Sequence, residues 1–152
     1  MKKSSINPMP KYFDRYINLV ADIDILDALK KYSDSFEIDK RILEKIADKN
    51  YAPGKWTTKE ILRHIIDNER IQSYRALRIA RGDQTGLPGY EQDDLIKTAE
   101  TAKLVLDELL YEFKIVREST ILLYQSFSDT MQMRIGTAAT VQISALGLGF
   151  QI

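Results

Sequence analysis

The segment PGKWTTKEILRHII, from Pro53 to Ile66, contains a loop followed by the start of a helix. Its Pro-Gly pair indicates a loop. Thr57 followed three residues later by Glu60 forms a capping box, in which side chains satisfy the first free N–H groups of a helix. Apolar residues then recur every three or four positions as far as Ile79, and Gly82 supplies the left-handed residue that commonly ends a helix. The pattern predicts an amphipathic helix of about 25 residues.

Two helices are predicted on the N-terminal side of this stretch. Pro10 suits the first position of a short helix over residues 11–20, because its missing N–H would have no partner there. From Asp24 onward, apolar residues recur mostly every three or four positions, which is typical of an amphipathic helix of about 24 residues. Either Asp22 or Asp24 is its expected cap. The apolar stripe comprises Ile25, Leu26, Leu29, Tyr32, Phe36, Leu43 and Ile46.

On the C-terminal side, a polar segment with two glycines and a proline follows Gly82 and extends to Asp94. Such a segment predicts a long connection that crosses over a helical bundle and not a tight turn. The third long helix is predicted from about Asp94 to about Phe127, either unbroken or with a break near Thr101. The sequence shows no strand pattern before residue 130.

The final segment, residues 131–152, contains one charged residue, Arg134. A C-terminal helix normally closes with a Gly or Asn cap and basic residues in its last turn, whereas this sequence stops within an apolar run. From Val141 the run has about 12 residues, too few for the roughly 20 that cross a bilayer. We interpret it as a fourth helix that is either cut short or continues beyond Ile152. The predicted fold is all-α, a four-helix bundle with a long crossover between helices 2 and 3 and a short N-terminal helix.

Composition limits the classes of function. A chain of 152 residues fits one domain, over residues 1–152. Its 22 Lys and Arg residues balance its 22 Asp and Glu residues, so there is no basic excess for nucleic acid to bind. The absence of cysteine excludes disulfides, thiolate zinc sites and cysteine nucleophiles. No apolar leader is present near Met1, so we expect residence in the cytoplasm and no membrane partner.

The candidate site is a polar track on the helix that begins near Thr57. His64 is followed by Asp67, Asn68 and Arg75 at positions three, four and eleven residues later. These spacings keep the side chains near one helical face. Buried polar groups need partners, so the track predicts a cavity in the bundle core, where facing helices commonly build ligand and metal sites.

The same residues also have simpler interpretations, in which their roles are structural. A lone helical histidine near a carboxylate is usually hydrogen-bonded or half-exposed. Arg75 and Arg78 fit ion pairs on the helix surface. The carboxylates close in sequence are Glu60, Asp67 and Glu69. Trp56, just before the capping box, fits a side chain packed on the helix. No catalytic residue can be assigned from these patterns.

The segment YAPGKWTTKEILRHIIDNER, residues 51–70, resembles the signature of the DinB-like (YfiT-like) superfamily of damage-inducible bacterial proteins. The likeness continues through residues 74–81, the loop at residues 87–93 and residues 112–120, and it covers the chain from about Pro10 to its end. The resemblance implies a four-helix bundle with a crossover between helices 2 and 3.

The resemblance also implies a divalent metal, such as nickel or zinc, held by three histidines. One of them lies on the second helix, and His64 falls on that position. The other two lie one turn apart on the fourth helix, after an apolar run like the one that ends at Ile152. A single imidazole needs at least two further ligands to hold such an ion.

The function implied by the resemblance is a metal-dependent hydrolase or a thiol-dependent transferase that acts on a small molecule. Asp67, Asn68 and Arg75 would then belong to the substrate pocket. The alternative is a non-enzymatic, stress-associated bundle that acts as a homodimer or binds a partner through its uncharged final segment. Direct nucleic-acid binding is disfavoured by the zero net charge.

Overall fold

The longest helix, α4 (Thr58–Ala80), lies at the centre of the fold and packs mainly against α6 (Leu106–Gln125) and α8 (Ala145–Gln151). In this computed structural model, residues 1–33 and 40–152 are described. The remaining helices are α1 (Asp14–Ile17), α2 (Ile25–Lys31), α3 (Lys40–Ile46), α5 (Gln92–Thr98) and α7 (Asp129–Met133), and two strands, β1 (Ile135–Ala138) and β2 (Val141–Ser144), form a hairpin.

The capping box at the start of α4 is confirmed. The Thr57 backbone N–H donates to Glu60 Oε2 at 2.7 Å, and the Glu60 N–H donates to Thr57 Oγ1 at 3.2 Å. At the other end, Gly82 has a φ of +89°, which favours glycine because other residues meet steric strain there. Both ends of the helix are therefore fixed by local sequence.

The N-terminal helices are shorter than their patterns predict. Tyr12 has a φ of +75°, so helical backbone is interrupted and α1 begins only at Asp14. Asp24 caps α2 by accepting from the Leu26 N–H at 2.9 Å. α2 ends at Lys31 and does not run on for 24 residues. The Ser33 N–H donates to the Lys30 carbonyl, three residues earlier, at 3.1 Å, and such a 3-10-type bond tightens the last turn of a helix. Phe36 lies outside the described residues.

The crossover and the break in the third helix are confirmed. The chain leaves α4 at Arg81 and is irregular until α5, which is followed by a short 3-10 turn at Thr101–Lys103 and then by α6. Glu100, just before that turn, has a left-handed backbone with a φ of +49°. Helical hydrogen bonding cannot continue through it, so the predicted helix is divided in two.

The helix predicted from Val141 is wrong for its first turn, which forms β2. Residues 139 and 140 are the two-residue loop between Ala138 and Val141, and both have positive φ, 48° and 70°. That is the geometry of a tight hairpin turn, and β-branched residues favour the strand that follows. The helix begins only at Ala145, where the Ser144 hydroxyl accepts from the Gly147 N–H at 3.0 Å.

The largest core cluster joins α2, the end of α4, α6, the hairpin and α8. All six residues from Ala145 to Phe150 are buried in it. Among the helices of the described part of the chain, none combines the length and the apolar character that crossing a bilayer requires. The architecture is the predicted helical bundle with a small hairpin inserted before its last helix.

Candidate functional site

A cleft of about 840 Å3 opens beside α4. Its walls come from four parts of the chain: Tyr12, Phe13 and Tyr16 near the N-terminus; His64, Asn68, Gln72 and Arg75 of α4; residues 89–92 of the crossover; and residues 139–141 and Gln151 of the C-terminal part. The volume lies within the range of about 300–1,000 Å3 that small-molecule sites occupy. The crossover and the hairpin thus turn one face of α4 into the floor of a cavity.

The four α4 residues share this face because of their spacing. Positions four, eight and eleven residues after His64 return to one side of an α-helix. Three of the residues singled out from the sequence, His64, Asn68 and Arg75, line the cleft, and Gln72 joins them. Gln72 was not singled out from the sequence, although it lies eight residues after His64 and this spacing predicts the same helical face.

Asp67 does not line the cleft. Its Oδ1 lies 3.3 Å from Arg63 Nε and 3.7 Å from Arg70 Nη1. Both arginines also bind Glu112 of α6, with Arg63 making two hydrogen bonds of 2.7 and 3.0 Å. Burial raises the pKa of Asp67, while the two arginines oppose the increase. Asp67 therefore belongs to an ion-pair cluster that joins α4 to α6.

His64 is half-buried on the cleft wall, and its ring centroid lies 5.0 Å from that of Trp56. Trp56 thus packs on α4, as its position before the capping box indicated, and its contact there is His64. Burial lowers the pKa of His64, and the negative charges of Asp67 and Asp93 act in the opposite direction. The neutral imidazole is the form that this environment favours.

A hydrogen-bonded chain runs along the rest of the cleft floor. Asn68 Oδ1 accepts from the Tyr90 hydroxyl at 2.8 Å and from Gln72 Nε2 at 3.0 Å. Gln72 Oε1 in turn accepts from Arg75 Nη1 at 3.1 Å, and Arg75 Nη2 donates to the Pro88 carbonyl at 2.5 Å. Tyr90 was not singled out from the sequence, because only the tertiary fold brings the crossover to this helix.

The simpler interpretation of Arg75 as a surface ion pair is wrong. Arg75 is 3% exposed, and among the described residues no carboxylate lies within ion-pair distance of it. Arg78 does form an ion pair, with Asp83. Glu69, considered as a neighbour for these arginines, is bound to Arg117 of α6 instead.

Comparison with known proteins places this architecture in a family. The sequence model of the DinB superfamily matches residues 26–149. The chain belongs to the DinB superfamily. Among solved structures, this DinB chain is similar to YfiT from Bacillus subtilis, described as a probable metal-dependent hydrolase with an unusual four-helix bundle topology. The TM-score is 0.66 at 15% identity, and the match covers 91% of this chain and 78% of YfiT. No curated protein matches the chain.

The described residues of this DinB chain do not fit a three-ligand metal site. No group of three His, Cys, Asp or Glu side chains that could hold an ion occurs within residues 1–33 and 40–152. His64 supplies one imidazole, and Asp67, the carboxylate one turn away, is engaged by two arginines. Nickel or zinc needs more ligands than this arrangement brings together.

We expect the pKa of His64 to lie below its ordinary value of 6.5, because burial disfavours the imidazolium. His64 is the only histidine, so an NMR titration of its ring protons measures the pKa without overlap. The unfolded chain then binds a proton at higher pH than the folded chain. The free energy of unfolding should therefore fall as pH decreases from 6.5 toward the folded pKa. Above pH 6.5, where His64 is neutral in both states, its titration should not change the free energy of unfolding.

The variant Asp67→Asn tests how the charge of Asp67 affects the pKa of His64. It removes a carboxylate that raises the pKa of His64, so its His64 should titrate at still lower pH. A pKa of 6.5 or more in the unmodified protein would contradict the assignment of burial as the dominant effect.

Proposed function

We propose that the protein is a hydrolase, or a thiol-dependent transferase, that acts on a small molecule bound in the cleft. The observation that carries the proposal is the cavity of about 840 Å3 with His64 on its wall. The size suits a small molecule, and side-chain amide, hydroxyl and guanidinium groups lie along its floor. The description of YfiT as a probable metal-dependent hydrolase supports the same class of reaction.

In this proposal, His64 is the general base that accepts a proton from the attacking water or thiol. A neutral imidazole has a free lone pair that accepts a proton from water or from a thiol. Trp56, at 5.0 Å between ring centroids, packs against the imidazole and limits its movement. The family resemblance implies nickel or zinc at this position, but the described residues do not supply the ligand set, so we assign no step to the metal.

The test is hydrolysis of a nitrophenyl ester of a short carboxylic acid by the 152-residue chain. We expect His64→Ala to lower the rate about 100-fold or more, the usual effect of losing a general base. The matched control is Arg81→Ala, because Arg81 is exposed just after α4 and does not line the cleft. Equal rates in both variants would contradict the proposal.

Two further measurements distinguish transferase from hydrolase activity and test whether the rate depends on a metal. A small thiol with an aryl chloride replaces the ester in order to measure transferase activity. Each assay is run with a chelator and again with added zinc or nickel chloride. A rate that depends on His64 and also on added metal would support the metal-dependent form of the reaction.

The non-enzymatic alternative depended on an exposed, uncharged final segment. Residues Ala145 to Phe150 are instead buried in the main core, so they offer no surface to a partner. The homodimer and the stress-associated role are still predictions, and light scattering of the purified chain tests the first of them.

A further inference from the structure

Three cationic side chains are buried within the described part of the chain: Lys59, Arg75 and Arg117. Two of them have a carboxylate partner. Lys59 Nζ lies 2.6 Å from Asp48 Oδ1, and Arg117 Nε lies 2.8 Å from Glu69 Oε1. Arg75, at 3% exposed, has no carboxylate partner within residues 1–33 and 40–152. Among the buried cations of these residues, its charge is the exception.

Among the described residues, the hydrogen-bond partners of Arg75 are neutral oxygen atoms, the Gln72 amide and the Pro88 carbonyl. A guanidinium group has five N–H donors, and the two bonds engage one N–H on each terminal nitrogen. The Tyr90 ring, centred 5.6 Å from the guanidinium carbon, offers only a weak electrostatic contact. A buried charge without a counter-ion is unfavourable, and this one lines the cleft.

We propose that the cleft binds the carboxylate group of a small molecule and that Arg75 is its charged partner. The inference rests on the proposed function, since it names the chemical class of the molecule that enters the same cleft. A planar guanidinium matches a carboxylate through two parallel hydrogen bonds. The bound carboxylate would supply the counter-charge that the described residues do not.

The surrounding charges favour a ligand with a single negative charge. Glu91 is exposed on the cleft wall and forms no ion pair with Arg75, and Asp93 is close enough to act electrostatically on His64. A polyphosphate would bring several negative charges near these carboxylates, and like charges repel. Tyr12, Tyr16 and Val141 also line the cleft, and an apolar part of the ligand can pack against them.

The experiment compares hexanoate with hexanamide, two probes of similar size that differ in charge. Binding is measured by calorimetry, and the shift of the single histidine's NMR signals shows whether each probe reaches the cleft. We expect hexanoate to bind about 10- to 100-fold more tightly than hexanamide, the usual effect of a hydrogen-bonded ion pair. Arg75→Gln should abolish this preference.

The matched control is Arg81→Gln, which makes the same change of charge next to the same helix but outside the cleft. It should retain the preference for hexanoate. If Arg75→Gln does not fold, Arg75→Lys replaces it. Lysine lacks the planar guanidinium that forms two parallel hydrogen bonds with a carboxylate, so this variant should show a smaller preference for hexanoate. Thermal unfolding of each variant establishes that it is folded.

Equal binding of the two probes, an unchanged preference in Arg75→Gln, or tighter binding of inorganic phosphate than of hexanoate would each overturn the inference. Absence of hexanoate binding would also overturn it. The proposed function fails separately, when ester hydrolysis and thiol transfer both continue in His64→Ala.

Discussion

The Glu69→Gln variant is expected to lose about 3–5 kcal/mol of unfolding free energy, because it leaves the Arg117 guanidinium buried without a counter-charge. Arg117 donates from Nε and Nη2 to the two oxygens of Glu69 at 2.8 and 2.9 Å, and both side chains are buried. Arg117 Nη1 also donates to the Leu29 carbonyl at 3.2 Å. Arg117 therefore joins α6 to α4 through an ion pair and to α2 through a hydrogen bond.

Urea unfolding followed by circular dichroism measures this loss. The control is Glu118→Gln, since Glu118 follows Arg117 in sequence but is exposed, and we expect a change of no more than about 0.5 kcal/mol. The double variant Glu69→Leu with Arg117→Met should lose less than Glu69→Gln alone, because it leaves no unpaired charge. A Glu69→Gln variant as stable as the control would show that the ion pair is dispensable.

The second large effect is expected for Gly149→Ala, which should destabilise the fold by about 1–3 kcal/mol. In an unobstructed helix the same change is favourable by about 1 kcal/mol. A Cβ atom at Gly149 would lie 2.7 Å from the Tyr124 ring and 2.9 Å from Ile25 Cδ1. The ring cannot move easily, because Tyr124 is fully buried and its hydroxyl donates to the Ala145 carbonyl at 2.7 Å.

The matched control for this substitution is Gly86→Ala in the crossover. A Cβ atom there meets nothing within 4 Å, and the backbone of Gly86 is not left-handed. We expect Gly86→Ala to be neutral or slightly stabilising, since alanine restricts the unfolded chain more than glycine does. Stabilisation by Gly149→Ala would mean that helix propensity outweighs the contact with Tyr124.

Features of the fold that depend on neighbouring residues can be predicted from the sequence. The capping box at Thr57, the end of α4 near Gly82, the Asp24 cap and the crossover all follow from local hydrogen bonding and backbone sterics. The face of α4 that carries His64, Asn68 and Arg75 followed from helical periodicity. These are short-range effects, so they can be deduced from spacing along the chain.

Contacts between groups that are distant in sequence became known from the packing of the helices and the hairpin. Val141 begins a strand because a hairpin turn and pairing with β1 outweigh the apolar pattern. Glu69 binds Arg117, 48 residues away, and Asp67 turns toward Arg63 and Arg70 instead of lining the cleft. Arg75 is buried and donates to the Pro88 carbonyl of the crossover, with no carboxylate partner in the described part of the chain. Such partners are selected by packing between elements, and the periodicity of a single helix carries no information about them.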